Sequence, residues 1–395
     1  MVLYLIMKVV IFGYGGVGSV LAKMLSKEKT ISQVICGDIL IKKDKIIGKI
    51  HLKKIDLNNR EKVIKFLKEI NPEVVVNSAI PNFNLRIMDI CLQTKVNYLD
   101  LASYWDLDKN PKALVPYEME QMRYAKKFTD NHIKGLIESG VAPGLTNLLS
   151  AECASKLDSV DYLKIRMCED TGSKEIFFSW NKEWLLDEIA CKPIIYENGK
   201  FPLVECFGGE EEYEFPKPIG KKKTYYFAQD EVGSIPFYVK TKKLDVKIYD
   251  NNIEVSKLLL ALGLVSNKEV EVDGVKVKPI KLLSKILPDT KPGDEKRFPN
   301  SMFAVAIEAI GKKSGKNKSI KYSVIFPNQK TIEKMNLGAN FISYPTALCA
   351  KLFAMAIPKI KNIGVFPPEA LNKSIREEIL AQLNKEKSLI IKKNY

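Results

Sequence analysis

The sequence predicts an α/β protein in which a parallel sheet with crossover helices precedes a second α/β domain built on a mixed or antiparallel sheet. Three observations carry this prediction. Strand-like and helix-like segments alternate from Met7 to about residue 147, which is typical of a parallel sheet with right-handed crossovers. Beyond residue 150 the segments become strand-rich and are separated by proline-containing loops. The segment 343–395 returns to helical patterns.

A glycine-rich turn joins the first strand to the first helix. Residues 7–12 form an apolar β-type run, and Gly13, Gly15 and Gly18 follow with the spacing G-x-G-x-x-G. The first glycine permits a tight turn, the second lets a pyrophosphate approach the backbone, and the third lets the helix pack closely on the sheet. The helix N-terminus then offers free N–H groups to phosphate oxygens. This pattern predicts a Rossmann-type dinucleotide-binding domain, with these residues at the cofactor: Gly13, Tyr14, Gly15, Gly16, Val17 and Gly18.

The next strand, 31–38, ends in an acid that bears on which cofactor is bound. Asp38 lies 20 residues beyond Gly18, where a carboxylate accepts hydrogen bonds from the adenosine ribose and repels a 2′-phosphate. It predicts NAD as the cofactor. Two alternatives stay open: Lys42 and Lys43 are close enough to pair with the 2′-phosphate of NADP, and Asp38 is also compatible with a turn carboxylate at the strand end.

The remaining elements of the first domain follow from periodicity. Helical spacing predicts helices at 61–70, 85–94 and 117–131, and apolar runs predict strands at 74–79, 98–102 and 133–137. Ligands of an open parallel sheet lie beyond the carboxyl ends of its strands. Pro81 is also compatible with a strand terminator, and Ser78 and Ser103 with helix caps. The rule adds these candidate cofactor residues: Asp56, Leu57, Ser78, Ala79, Ile80, Pro81, Ala102 and Ser103.

A second glycine turn opens the next domain. At 139–150 a strand enters, a Pro-Gly turn reverses the chain, and a helix starts with small polar residues. This arrangement predicts a substrate or cofactor contact at Pro143, Gly144 and Asn147, although a βα connection without a ligand is the alternative. We predict three regions: a dinucleotide-binding domain at 1–147, a substrate and oligomerisation domain at 148–342, and C-terminal helices at 343–395 that pack back on the first domain.

The composition favours small-molecule chemistry in a reducing compartment. The net charge of +15 is spread over many lysines, and no zinc-finger or RNA-binding signature accompanies it, so we expect no nucleic acid partner. Seven cysteines without C-x-x-C pairing indicate reduced thiols and a cytoplasmic location. With only two histidines, no metal site is expected. No apolar run is long enough for a transmembrane helix, and the uncharged start at 1–6 does not resemble a signal peptide.

Several motifs resemble the saccharopine dehydrogenase-like family. The match rests on the glycine loop, on 77–81, 87–92 and 98–102, and above all on 140–147; the blocks 184–188, 275–279 and 364–369 also echo the family. The resemblance implies an NAD(P)-binding Rossmann domain joined to an α/β domain that makes substrate and oligomer contacts. It implies a dehydrogenase that transfers a hydride at a C–N bond of lysine, saccharopine or a related amino acid, in a homodimer or higher homo-oligomer. A reductase of the carboxynorspermidine or polyamine type is the alternative, as is a catalytically silent NAD-binding regulatory protein.

The chain departs from the family pattern at two positions. Saccharopine and polyamine enzymes of the family commonly have an acid before the Pro-Gly, where this chain has Ala142, as lysine 6-dehydrogenase-like sequences do. A block that often contains His has Gln229 nearby instead. Both departures bear on the particular substrate.

The reaction requires the amine in its neutral form, so a base must be available. Because histidines are few, a carboxylate, tyrosine or lysine is expected in that role. Arg86 or Arg166 is a candidate for holding a substrate carboxylate, with a surface ion pair as the favoured alternative for either one. The candidates for acid–base work are Tyr104, Asp106 and Glu118, with Asp187 and Glu188 from the second domain.

Overall fold

Two large sheets organise the chain in the computed structural model, which describes residues 6–103, 119–173, 175–178, 181–288, 293–386 and 389–394. The strands are β1 (Met7–Phe12), β2 (Ile31–Asp38), β3 (Lys45–Ile47), β4 (Ile50–Lys54), β5 (Val74–Asn77), β6 (Asn97–Asp100), β7 (Lys134–Leu136), β8 (Ser159–Asp170), β9 (Tyr196–Glu197), β10 (Glu211–Glu214), β11 (Lys221–Tyr226), β12 (Thr241–Asp250), β13 (Val270–Val272), β14 (Val275–Val277), β15 (Met302–Lys313), β16 (Lys316–Ile325), β17 (Gly364–Phe366) and β18 (Leu389–Asn394).

The helices connect and cover these sheets. They are α1 (Gly16–Ser26), α2 (Arg60–Ile70), α3 (Asn84–Thr94), α4 (Ala125–Asp130), α5 (Leu145–Ala154), α6 (Lys182–Ala190), α7 (Glu231–Tyr238), α8 (Ile253–Ala261), α9 (Pro279–Ile286), α10 (Gln329–Glu333), α11 (Ser343–Ala356) and α12 (Lys373–Leu383). Among the described residues, none of these helices is long and apolar enough to span a membrane.

The first sheet has the order β17-β7-β6-β5-β1-β2-β4-β3. Every neighbouring pair is parallel except β3–β4. Its central strands are apolar on both faces, as expected where helices cover both sides of a parallel sheet. The predicted Rossmann-type sheet is therefore confirmed.

The second sheet has the order β10-β11-β12-β8-β15-β16-β18, with β9 beside β12. Only the β8–β12 pair on this path is parallel, so the sheet is mixed, as predicted. Helix α5 is buried along nearly its whole length and packs against β8, β15 and β16. This burial explains its continuous apolar and small-residue sequence.

The C-terminal segment differs from the prediction of helices alone. Helix α11 packs against α1 of the first domain, but β17 joins the first sheet beside β7, and β18 joins the second sheet beside β16. The strand β17 is only three residues long and therefore too short to show a period in the sequence. The domain boundaries at 147 and 342 stay predictions.

Candidate active site

The glycine loop leaves space above the N-terminus of α1. Gly13 has a φ of 95°, and a Cβ there would lie 2.6 Å from the Ala79 nitrogen. A Cβ on Gly18 would lie 2.0 Å from the Gly13 oxygen, so α1 approaches the loop too closely for any other residue. By contrast, Cβ atoms on Gly15 and Gly16 would meet nothing within 4 Å, and both residues are exposed. The loop thus has protein packed beneath it and open space above it, which fits a dinucleotide pyrophosphate.

Asp38 is held beside this loop by two backbone groups. The Tyr14 N–H donates to one carboxylate oxygen at 2.7 Å, and the Leu40 N–H donates to the other at 2.8 Å. Lys42 and Lys43 are exposed on the segment that follows. Asp38 therefore acts as a turn carboxylate, as one alternative predicted, and its position at the end of β2 also suits contact with a ribose.

The other predicted cofactor residues lie mostly at the same edge of the sheet. Ser78, Ala79, Ile80 and Pro81 follow β5, and the buried Ser78 hydroxyl has no hydrogen-bond partner, which leaves it free for a ligand. Asp56 is exposed after β4, where its carboxylate accepts a hydrogen bond from the Asn58 N–H.

Leu57 and the second glycine turn are built into the protein. The Leu57 side chain belongs to the core formed with Phe12 and Ile35, so only its backbone is available to a ligand. At the start of α5, a Cβ on Gly144 would lie 2.1 Å from the Gly140 oxygen, and the Asn147 side chain accepts the Gly144 N–H at 2.9 Å. Both Pro143 and Asn147 are buried. Cofactor contacts at all of these positions stay predictions.

Five carboxyl side chains gather where strand ends of the first sheet meet helix α7. Asp100 ends β6, Glu138 follows β7, and Glu369 follows β17. Asp230 and Glu231 begin α7 of the second domain. These carboxyl groups lie close enough to interact electrostatically. Asp230, Glu369 and Asp100 raise the pKa of Glu138, and Glu231 raises the pKa of Glu369. We call these five residues the acidic cluster.

Burial is the main influence on all five carboxyl groups. It raises the pKa of Asp100, Glu231 and Glu369 to about 7, that of Asp230 to about 8, and that of Glu138 well above its usual range. Neighbouring carboxylates raise several of these pKa values further. No Lys, Arg or His of the described residues is among the main influences on any of the five. The cluster therefore has an excess of potential negative charge.

Hydrogen bonds hold the cluster against the end of β6. The Ser103 hydroxyl donates to Glu138 at 2.7 Å, and the Ser103 N–H donates to Asp230 at 3.0 Å. Gln121 donates to both Asp100 and Ser103, each at 3.2 Å. Ser103 thus binds acids of both domains at the position where we predicted a cofactor contact.

Glu138 has an unusual backbone. Its φ of 54° lies in the left-handed region, which residues with side chains rarely adopt. Its N–H donates to Asp100 at 2.7 Å, which holds this conformation. On the side of the second domain, Ser234 donates to its carboxylate at 3.4 Å. Strained backbone beside buried acids is a frequent property of functional sites.

The predicted acid–base residues have different outcomes. Tyr104, Asp106 and Glu118 lie outside the described residues. Asp187 is exposed on α6. Glu188, on the same helix, is partly buried, and its pKa is raised well above the usual range by burial and by the negative charges of Asp230 and other acids.

The two candidate arginines lie in different environments. Arg86 is exposed and donates to the Asn58 side chain. Arg166 is completely buried in the second sheet, so the favoured expectation of a surface ion pair was wrong for this residue. It pairs with Asp245 at 2.6 Å and with Glu211 at 2.7 Å. We call Arg166, Asp245, Glu211 and Lys247 the sheet ion network, since Lys247 also pairs with Glu211 at 3.0 Å.

The sequence analysis assigned no role to the acidic cluster, although the segments 98–102 and 364–369, which contain Asp100 and Glu369, resemble the family. Glu138 gave one usable signal, because it follows an apolar strand at the sheet edge where ligands bind. No group of described residues has the arrangement of a metal site.

Comparison with protein families identifies both halves of the chain. The model of the saccharopine dehydrogenase NADP binding domain matches residues 9–134. The model of the saccharopine dehydrogenase C-terminal domain matches residues 140–389.

Curated relatives cover nearly the whole chain at low identity. Carboxynorspermidine synthase from Vibrio alginolyticus is 27% identical over 394 residues, which cover 93% of this chain and 92% of the relative. Carboxyaminopropylagmatine dehydrogenase from Synechocystis is 27% identical over 382 residues, which cover 92% and 93%.

Solved structures share the fold over the same extent. Saccharopine dehydrogenase (L-Glu forming) from Saccharomyces cerevisiae has a TM-score of 0.70 at 12% identity, covering 98% of this chain and 100% of that chain. Homospermidine synthase from Legionella pneumophila, solved in complex with NAD, has a TM-score of 0.64 at 13% identity, covering 98% and 91%.

These findings confirm the predicted family, the predicted fold class and an NAD(P) cofactor. The glycine loop with its open upper side, and the acids at other strand ends on the same edge of the sheet, fit the same assignment. The chain belongs to the saccharopine dehydrogenase family and is an NAD(P)-dependent oxidoreductase that acts at C–N bonds.

Proposed function

We propose that the enzyme forms a C–N bond of a carboxyl-bearing polyamine by reducing the imine of an aldehyde and an amine. The observation that supports this most is the acidic cluster, a buried excess of carboxyl groups beside the predicted dinucleotide site. Such a site suits a substrate with more than one ammonium group. The two curated relatives agree, since their names specify a carboxylated polyamine and a carboxyaminopropyl derivative of agmatine.

An enzyme of lysine or saccharopine is the second candidate. It is favoured by Ala142, the residue that lysine 6-dehydrogenase-like sequences have before the Pro-Gly. Its substrates carry fewer ammonium groups per carboxylate than a polyamine does, so they match the acidic cluster less well.

The carboxyl groups of this chain suit the proton transfers of the reaction. An amine arrives as an ammonium ion at neutral pH and must lose a proton before it attacks an aldehyde carbon. The condensation releases water and leaves an imine, whose nitrogen accepts a proton as the C=N bond is reduced. NAD(P)H supplies the hydride. A carboxyl group whose pKa lies near neutrality can both accept and return the proton.

Asp230 is the member of the acidic cluster best suited to this proton transfer. It is partly exposed, whereas Asp100, Glu138, Glu231 and Glu369 are buried. The Ser103 N–H fixes one of its carboxylate oxygens at 3.0 Å, next to the end of β6. Its pKa of about 8, raised by burial, allows both protonation states at neutral pH. Tyr104, Asp106 and Glu118 stay candidates for the same role.

An assay whose possible products differ in mass tests the proposal. The purified enzyme is incubated with NADH or NADPH, with an α-amino acid that carries a terminal aldehyde, and with 1,3-diaminopropane, agmatine or lysine in turn. Mass spectrometry should detect the secondary amine of a diamine or of agmatine. Preferential formation or oxidation of saccharopine, or oxidation of lysine alone, would establish the second candidate instead.

Asp230→Asn should lower kcat by about 10²- to 10⁴-fold and remove one limb of the pH profile, the usual effect of losing a general acid–base group. The matched control is Asp161→Asn, because Asp161 pairs with Lys242 on the surface of the second sheet. An unchanged pH profile for Asp230→Asn would assign the proton transfer to another group.

We further propose that NAD(H) is preferred over NADP(H). The Asp38 carboxylate is fixed at the end of β2 by two backbone N–H groups, where it would meet a 2′-phosphate with like charge. Asp38→Asn should weaken NADH binding and reduce the preference for NADH over NADPH. Fluorescence titration with both reduced cofactors measures the two affinities. Tighter binding of NADPH than NADH by the unmodified enzyme would show that Lys42 or Lys43 dominates.

A homo-oligomer in the cytoplasm is the arrangement we propose for the enzyme. Exposed apolar side chains follow one another along α8, the β13–β14 hairpin and α9, including Leu258, Leu262, Val272 and Ile286. None of the seven cysteines, all of which lie within the described residues, forms a disulfide, as suits a reducing compartment. Light scattering coupled to size-exclusion chromatography measures the assembly; a monomer at micromolar concentration would contradict it.

A further inference from the structure

Glu231 and Glu369 form a pair of buried acids with unused oxygen atoms. Glu231 is completely buried at the start of α7, and Glu369 is 4% exposed in the segment after β17. Neither carboxylate oxygen of Glu369 accepts a hydrogen bond, and one oxygen of Glu231 is also without a partner. The other oxygen of Glu231 accepts a hydrogen bond from the Thr146 hydroxyl at 2.8 Å. Three buried carboxylate oxygens thus lack partners in one place.

Among the described residues, no cation is a main influence on the pKa of either acid. Ser234, Asn147 and the N–H of Glu369 itself lie near the Glu369 carboxyl group and lower its pKa, although none makes a hydrogen bond of good geometry to it. The two side chains bond elsewhere: the Asn147 amide donates to Ser234 at 3.1 Å, and Ser234 donates to Glu138 at 3.4 Å. The negative charge of Glu231 raises the pKa of Glu369 in turn. Because no described residue balances the negative charge of the pair, a proton or a bound ligand must do so.

A buried carboxylate without hydrogen-bond partners destabilises the folded protein. The pair does not belong to any group of described residues arranged to hold a metal ion. An ammonium group offers three N–H donors and a positive charge, and it matches three free oxygen atoms. Its charge would also offset the repulsion between the two acids.

Glu369 is the member of the pair that lies away from Asp230, because Glu231 directly follows Asp230 in the chain. In the first sheet the order is β17-β7-β6, so Glu369 follows the strand two places away from the one that Asp100 ends. Two strand spacings correspond to about 10 Å.

We propose that Glu231 and Glu369 form a subsite for the distal ammonium group of an α,ω-diamine or polyamine substrate, whose other nitrogen reacts beside Asp230 and Ser103. The inference rests on the proposed function, because it takes that reaction as given and adds which end of the amine is recognised. This subsite makes the enzyme selective for amines that carry an ammonium group at each end.

A binding experiment tests the subsite without requiring turnover. The enzyme, saturated with oxidised cofactor, is titrated calorimetrically with 1,5-diaminopentane and with n-pentylamine, which has the same carbon chain and one amine. The diamine should bind at least tenfold more tightly. Glu369→Gln should remove this margin and leave NADH binding unchanged. Glu377→Gln is the control, because Glu377 is an exposed acid on the neighbouring helix α12.

Glu231→Gln provides a second test if Glu369→Gln does not fold, and it should remove the margin likewise. Equal binding of the diamine and the monoamine by the unmodified enzyme would overturn the subsite, as would a margin that survives both substitutions. A retained margin with no C–N chemistry on any amine would instead contradict the proposed function and leave the diamine subsite supported.

Discussion

The acidic cluster and the sheet ion network are both buried, but they are built in opposite ways. In the sheet ion network, Arg166 lies between Asp245 and Glu211, and Lys247 adds a second positive charge to Glu211. These contacts lower the pKa of Glu211 to about 2, against the opposing effect of burial. In the part of the chain that the structure describes, no such cation is among the main influences on the acidic cluster, and all five pKa values are raised.

This difference separates a structural role from a functional one. Where each buried charge has a partner within the chain, the group holds strands together and offers nothing to a ligand. Where partners are missing, the buried carboxylates destabilise the folded protein, and a bound cation can offset that destabilisation. The location agrees, because the sheet ion network lies within the second sheet, whereas the acidic cluster lies at strand ends on the same edge of the first sheet as the glycine loop.

The largest expected effect comes from breaking the balanced network. Arg166→Met should lower the free energy of unfolding by about 3–5 kcal/mol, because Asp245 is left buried without its partner. Urea unfolding followed by circular dichroism measures this. A loss below 1 kcal/mol would mean that Lys247 or water compensates the two acids, and the contrast between the clusters would weaken.

The second prediction concerns pH. Burial raises the pKa of Glu369 to about 7 in the folded protein, above its ordinary value near 4.5. The folded state therefore binds more protons than the unfolded chain between these values, and the free energy of unfolding should fall as pH rises from 5 to 8. Glu369→Gln should flatten this dependence and stabilise the protein at pH 8 by on the order of 2 kcal/mol.

Urea unfolding at several pH values measures the dependence, and a variant of the sheet ion network provides the contrast. Glu211 has a lowered pKa, so its stabilisation is present above pH 5 and is lost as pH falls toward 2. Glu211→Gln should consequently flatten the acid side of the curve. Identical curves for Glu369→Gln and the unmodified protein would show that Glu369 titrates normally.

A smaller effect is expected from loosening the acidic cluster. Ser103→Ala removes the hydroxyl that donates to Glu138 and should cost about 1–3 kcal/mol. The cost should rise with pH as Glu138 ionises, because an ionised carboxylate depends more on its donor. Ser26→Ala is the control, since Ser26 bonds only a backbone oxygen of its own helix. A cost that stays constant over the whole accessible pH range would indicate that Glu138 keeps one charge throughout.

The smallest effect should come from an exposed ion pair. Arg297→Met breaks the pair with Glu175, in which both side chains are more than half exposed. The free energy of unfolding should change by about 0–1 kcal/mol. A cost as large as that of Arg166→Met would show that burial is not what distinguishes the sheet ion network.

Local patterns were sufficient for the glycine turn and for the parallel strands β1, β2, β5, β6 and β7 of the first sheet. The spacing of Gly13, Gly15 and Gly18 predicts the turn, because each glycine meets a steric demand that arises within a few residues. The mixed second sheet followed from strand-rich segments alone. The position of β17 did not, because its three residues pair with a strand more than 200 residues earlier in the chain.

The candidate site divides in the same way. The sequence alone determined the family, the glycine loop and the acid at the end of β2, since those features depend on neighbours in the chain. Only the tertiary structure decided that Glu138, Glu231 and Glu369 meet, and that Arg166 is buried rather than exposed. The physical reason is that burial and charge pairing depend on which distant strands and helices pack together, and no local pattern records that.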